Sequence, residues 1–97
     1  MTAYLIAEME VTDSQLLKDY LALSAPCVRH YGGRFLARGG RTDTLEGASA
    51  KRVVVVAFET IETARRFWES PEYTAARAIR LQAADSRFIV VEGLPGV

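Results

Sequence analysis

The chain has 97 residues, 49% of them hydrophobic and 25% charged, a balance that excludes a disordered tail and leaves room for one domain only. Lysine plus arginine, 12, equals aspartate plus glutamate, 12, so no global field draws in nucleic acid or an anionic membrane, and neither is an expected partner. One cysteine, Cys27, rules out an internal disulfide, no stretch reaches the roughly 18 apolar residues of a membrane span, and the opening "MTAYLIAEMEV" lacks the basic region of a secretory signal, so the cytoplasm is the expected compartment.

Ala3 to Val11 alternates as a first strand, with Leu5, Ala7, Met9 and Val11 on one side and Tyr4, Ile6, Glu8 and Glu10 on the other. Thr12 and Gln15 then have the spacing of a capping box, and Leu16, Tyr20 and Leu23 recur at helical intervals, which predicts a first helix. Pro26 either interrupts that helix after Ser24 or opens a second short helical piece. Gly32 and Gly33 close it, since glycine just past a helix takes the left-handed conformation without steric penalty. "RFLAR", Arg34 to Arg38, alternates as a second strand with Arg34, Leu36 and Arg38 on one face and Phe35 and Ala37 on the other. From Gly39 to Lys51 the chain turns polar, apart from "TLEG", and reads as a long hairpin arm.

"RVVVVAF", Arg52 to Phe58, is an unbroken apolar run of mainly β-branched residues and predicts a strand buried on both faces. Thr60 is placed to cap a second helix whose apolar stripe is Ala64, Phe67 and Trp68, with Glu62 and Arg66, and Arg65 and Glu69, at ion-pair spacing. Ser70 caps a third helical stretch that has Pro71 at its first position and continues from Tyr73 to Ala84. "RFIVVEG", Arg87 to Gly93, is the last strand. The order βαββαβ matches a ferredoxin-like α+β fold, an antiparallel sheet with helices on one face. The apolar runs leave the other face without an alternating polar set, so a second copy of the chain is the expected cover, giving a homodimer with its sheets face to face.

With "YGGRFLARGG", "LEG", "FWESPEY", Arg80 and the closing "VVEG", nearly the whole chain resembles domain-of-unknown-function family 1330, within the dimeric α+β barrel superfamily. The resemblance carries the family signature onto Gly32, Gly33, Arg38, Gly39, Glu46, Gly47, Trp68, Ser70, Pro71, Tyr73, Arg80, Glu92 and Gly93. It implies the dimer, and it implies no activity, since superfamily relatives range over cofactor-independent monooxygenases, lactone isomerases and haem-dependent enzymes. After "EG" the family commonly has an acidic and aromatic step leading to proline, whereas this chain reads "ASAKR".

Among the reactive residues, His30 is a candidate general base or metal ligand by type, but no second histidine or cysteine cluster accompanies it, so no metal is expected and the residue reads as a helix-end cation. Arg38, on an apolar strand, must meet either a carboxylate or an anionic ligand. Glu46, across the arm, is the candidate carboxylate, as a lock on the arm or as part of a ligand clamp, and Glu8 is a further acid that would share the same cleft. Tyr73, Arg77 and Arg80 share one helix face, where Tyr73 would hydrogen-bond an oxyanion and Arg80 neutralise it. Trp68 reads as core or as the apolar wall of a pocket. Cys27 has no paired base, and the glycine pairs lack the lysine of a phosphate loop. The expected site is thus a cleft between sheet and helices in which Arg38, Glu46, Tyr73 and Arg80 hold a small anionic or carbonyl-bearing metabolite. Catalysis there would have Arg38 or Tyr73 stabilising charge and Glu46 moving a proton, with no flavin, nicotinamide or other cofactor. The alternative is a non-catalytic interaction dimer, and the residues leave open whether the chain is an enzyme.

Overall fold

The structure is a computed structural model and describes residues 1–49 and 52–96. Its elements are β1 (Ala3–Val11), α1 (Ser14–His30), β2 (Arg34–Arg38), β3 (Arg52–Phe58), α2 (Ile61–Glu69), α3 (Pro71–Ala83) and β4 (Ala84–Glu92). All strand pairs are antiparallel, in the order β2-β3-β1-β4, and the helices cover one face, as the ferredoxin-like reading expects. Alternation along β1 sorts the two faces: Ala3, Leu5, Ala7 and Met9 are buried beneath the helices, whereas Tyr4, Ile6 and Glu8 are half-buried on the other side. Val54, Val56 and Phe58 of β3 join the covered face, where Phe58 packs on Phe67 of α2 (5.3 Å between ring centroids) and Phe67 on Tyr73 of α3 (4.6 Å). Each such side chain contributes about 1.5–3 kcal/mol by leaving water.

Several local expectations are corrected. The cap of α1 is Asp13, whose carboxylate accepts from the amides of Gln15 and Leu16, and not Thr12. Thr12 is committed elsewhere, because its amide and hydroxyl both donate to the carbonyl of Ala83 and tie the start of α1 to the end of α3. Pro26 neither interrupts nor restarts the helix, which runs through it to His30. The carbonyl that loses its donor there belongs to Ala22, an exposed residue, where a missing amide costs less than in the core. Strand β4 starts at Ala84 instead of Arg87, since the length of β1 offers pairing partners to Ala84, Asp85 and Ser86. Thr60 and Ser70 cap α2 and α3 as expected, with Pro71 in the first turn.

The two ion pairs expected along α2 do not form. Arg66 donates instead to the Thr63 hydroxyl, and the ion pair found among the described residues joins Arg87 to Glu8 at 3.3 Å. Residues 39–49 contain no strand and project as a loop, with Leu45 94% exposed; the rest of the expected arm, Ala50 and Lys51, lies outside the described residues. Strand β3 is covered along its helix side, whereas on the opposite face Ala57 is buried but Val53 and Val55 are only half-buried, beside Ile6 and the more exposed Ile89 and Val91.

Candidate functional site

Helix α1 packs along α3 and stands away from the strands below it. The gap is a cavity of about 440 Å³, inside the range of roughly 300–1,000 Å³ usual for small-molecule sites. Its floor is the covered face of the sheet, with Leu5, Ala7, Met9, Val54, Val56 and Phe88; its roof is α1, with Tyr20, Leu21, Ser24 and Val28. Among the described residues the charged ones in its lining are Lys18, Arg29 and Arg38, all exposed cations, and no carboxylate lines it. Lys18 and Arg29 lie eleven residues apart on α1, three helical turns, and so share one side of it. An apolar interior with basic residues at its mouth suits an apolar molecule that carries a negative charge at one end.

Arg38 reaches this cavity because β2 is irregular. Strict alternation would place it beside Leu36, on the face opposite Phe35. Instead the register passes from Phe35↔Val56 to Ala37↔Val55 and Arg38↔Val54, so Leu36 is an extra residue in a β-bulge. The slip returns Arg38 to the face of Phe35, and its guanidinium lies 4.6 Å from the centre of that ring. Arg38 and Glu46 form no ion pair among the described residues; Glu46 is exposed on the projecting loop and does not line the cavity.

Tyr73 and Arg80 lie behind the roof. Tyr73 is wholly buried, Arg80 is 4% exposed, and the Arg80 Nε donates to the Tyr73 hydroxyl at 3.3 Å. The Tyr73 hydroxyl in turn sits 3.0 Å from that of Tyr20, which does line the cavity. The Arg80 guanidinium stands 4.3 Å from the Phe88 ring, and no carboxylate pairs with it among the described residues. Burial, reinforced by Tyr73, pushes the Tyr20 hydroxyl far above the usual phenol range, while Arg80 and Ser24 pull it back. Tyr20 is therefore protonated at any physiological pH. Arg77, on the same helix face, stacks over Trp68 at 4.2 Å and donates to its carbonyl.

Trp68 lines a separate apolar cavity of about 240 Å³ with Ala64, Ile89 and Val90, which shares the walls Leu5 and Phe88 with the larger one. Glu8 faces the other side of the sheet, paired with Arg87, and so is not in the cleft. His30 is the last residue of α1, exposed, with its ring edge-on to Tyr31. The Cys27 thiol is buried, and burial followed by the nearby Glu72 raises its pKa, the opposite of an activated nucleophile. Among the described residues no three metal-ligating side chains converge. Among the described residues no helix is long and apolar enough to cross a membrane.

Sequence reasoning thus names Arg38, which lines the cavity, and Tyr73 and Arg80, which lie one and two hydrogen bonds behind it, and misses Lys18, Arg29, Ser24 and Tyr20. The available signal was the pair Tyr20 and Ser24, polar groups one turn apart on the buried stripe of α1.

A family model described as a domain of unknown function, DUF1330, matches residues 2–94. The chain belongs to this family. Comparison with curated proteins gives no match. Among solved structures, this DUF1330 chain is similar to a protein of unknown function from Rhodopseudomonas palustris, at 18% identity and a TM-score of 0.80, covering 96% of this chain and 82% of that one. It is similar also to a dimeric ferredoxin-like protein of unknown function from Jannaschia sp. CCS1, at 10% identity and TM-score 0.76, covering 96% and 100%. A third is SnoaB, a cofactor-independent oxygenase from Streptomyces nogalater, at 11% identity and TM-score 0.67, covering 99% and 96%. At these identities the likeness is one of fold.

Proposed function

We propose that this DUF1330 protein binds a small apolar metabolite carrying a carboxylate or a comparable anionic or carbonyl group, in the cavity between α1 and the sheet. The observation that carries the reading is the lining itself, apolar in its interior apart from Tyr20 and Ser24, with Lys18, Arg29 and Arg38 unopposed by any acid among the described residues. Arg38 is the residue that meets the ligand's charge, held by the bulge and by Phe35. Tyr73 and Arg80 support the site through Tyr20. Any reaction there is of the kind such a lining permits, stabilisation of a developing oxyanion or enolate by fixed donors, without a cofactor. The fold it shares with SnoaB, a cofactor-independent oxygenase, is compatible with that chemistry. Glu46 has no place in this cavity within one chain, so proton transfer is not assigned to it.

The protein acts, on this reading, as a cytoplasmic homodimer. Its uncovered sheet face presents Ile6, Val53, Val55, Ile89 and Val91 together, and the similar Jannaschia protein is dimeric. That same face favours a second reading, an interaction dimer without a ligand. Calorimetric titration with 4-phenylbutanoate, an apolar body with one carboxylate, separates the two. Binding that weakens about tenfold in Arg38→Ala, the loss of one charge-assisted hydrogen bond at an exposed site, is the expected result. No heat and no thermal shift from this acid would remove the ligand-binding reading and leave the interaction dimer.

A further inference from the structure

Tyr20, Tyr73 and Arg80 form a hydrogen-bonded chain whose direction follows from the donors available. Arginine has no acceptor, so the Arg80 Nε can only donate to the Tyr73 oxygen. The Tyr73 hydroxyl proton then needs an acceptor, because this residue is wholly buried and a buried donor is almost never left unpaired. The Tyr20 oxygen, 3.0 Å away, is that acceptor. With its oxygen receiving the Tyr73 proton, Tyr20 directs its own proton away from Tyr73, on the side where it adjoins the cavity and the Ser24 hydroxyl, a second hydrogen-bonding neighbour on the same wall. Ser24 lies one turn on, lines the same cavity, and comes near enough to influence the Tyr20 hydroxyl.

We propose that Tyr20 is the hydrogen-bond donor of the inner wall, oriented by Arg80 through Tyr73, and that it selects ligands bearing a carbonyl, enol or hydroxyl oxygen in addition to their carboxylate. This inference rests on the cavity being a ligand site, and it adds the second recognition element. The mouth holds the charge and the roof reads a neutral oxygen, so the ligand class narrows to apolar oxo or hydroxy acids. Tyr73 and Arg80 touch no ligand; they are positioning residues that fix which way the Tyr20 proton points. The arrangement accounts for a buried arginine without a carboxylate partner among the described residues, a costly feature.

The test compares 4-phenylbutanoate with 4-oxo-4-phenylbutanoate by calorimetric titration on the full chain and on Tyr20→Phe. Wild type should bind the oxo acid roughly three- to tenfold more tightly, the value of one hydrogen bond to a neutral oxygen. Tyr20→Phe should remove that preference, bringing the ratio of the two affinities to about one. A second readout does not depend on the variant folding: the infrared carbonyl stretch of the carbon-13-labelled oxo acid bound to wild type should lie below its position in an apolar solvent. Equal affinities for the two acids in wild type, an unshifted carbonyl band, or a preference that survives in Tyr20→Phe would each overturn the assignment while the cavity remains a binding site. Failure of both acids to bind would overturn the site and this assignment together.

Discussion

The turn between α1 and β2 contains two adjacent glycines that are needed for different reasons, and alanine substitutions should separate them. Gly32 has φ +75°, a left-handed conformation, but a Cβ placed on it would meet nothing within 4 Å. Gly32→Ala should therefore cost only the backbone strain, about 1 kcal/mol, and Gly32→Asn should recover much of it because asparagine tolerates that region. Gly33 has ordinary backbone angles but no room: a Cβ there would lie 2.7 Å from Val28 Cγ1, 2.9 Å from Phe58 Cε1 and 2.9 Å from the Val28 carbonyl oxygen. Phe58 is 1% exposed and has nowhere to retreat, and the Val28 side chain, 5% exposed, can yield only by shifting into the cavity it lines. The Val28 carbonyl is further held by accepting the Gly33 amide at 2.8 Å. Gly33→Ala should thus cost about 2–3 kcal/mol, at the upper end of overpacking, and Gly33→Asn more. Urea unfolding at one fixed protein concentration measures both, with an accompanying fall in melting temperature of roughly 4–8 °C per kcal/mol for a domain of this size. Because Val28 lines the cavity, Gly33→Ala should also weaken 4-phenylbutanoate binding, whereas Gly32→Ala should not. Equal costs at the two positions, or rescue of Gly33 by asparagine, would refute the steric argument.

Two further outcomes follow from the same packing. Arg80→Met should stay within about 1 kcal/mol of the parent, since the lost hydrogen bond and ring contact are offset by no longer burying a cation, whereas Arg80→Ala leaves a void and should cost about 2–4 kcal/mol. Urea midpoints compare them, and a methionine variant as unstable as the alanine one would show that the charge itself holds the core. Val55→Glu, at the centre of the uncovered sheet face, should raise the dissociation constant of the proposed dimer at least roughly a hundredfold by burying an unpaired carboxylate from each protomer. Sedimentation at several concentrations reads this, and an unchanged dimer would place the interface elsewhere.

Much of the architecture is written in local pattern. The alternation of β1, the β-branched run of β3, the caps Thr60 and Ser70 with Pro71, and the glycines after α1 depend on backbone preferences and burial that each segment expresses alone. Together they determine four strands and the helices between them, and the lack of polar alternation in "VVVVAF" already announces a sheet with one face unfinished. What the sequence could not decide is where long-range contacts compete with local rules. Thr12 has capping-box spacing, yet its hydroxyl is drawn across the molecule to Ala83, and Asp13 caps the helix instead. Arg38 alternates onto the wrong face until the pairing of β2 with β3 inserts the bulge at Leu36. Tyr20 reads as an ordinary core residue because its meaning depends on Tyr73 and Arg80, some 53 and 60 positions away along the chain and brought together only when α1 packs on α3. The sequence by itself determined which segments are strands and helices, since period and capping are local. Only the tertiary structure decided which polar groups face the cavity, since a side chain's address is set by register and by helix packing that no single segment contains.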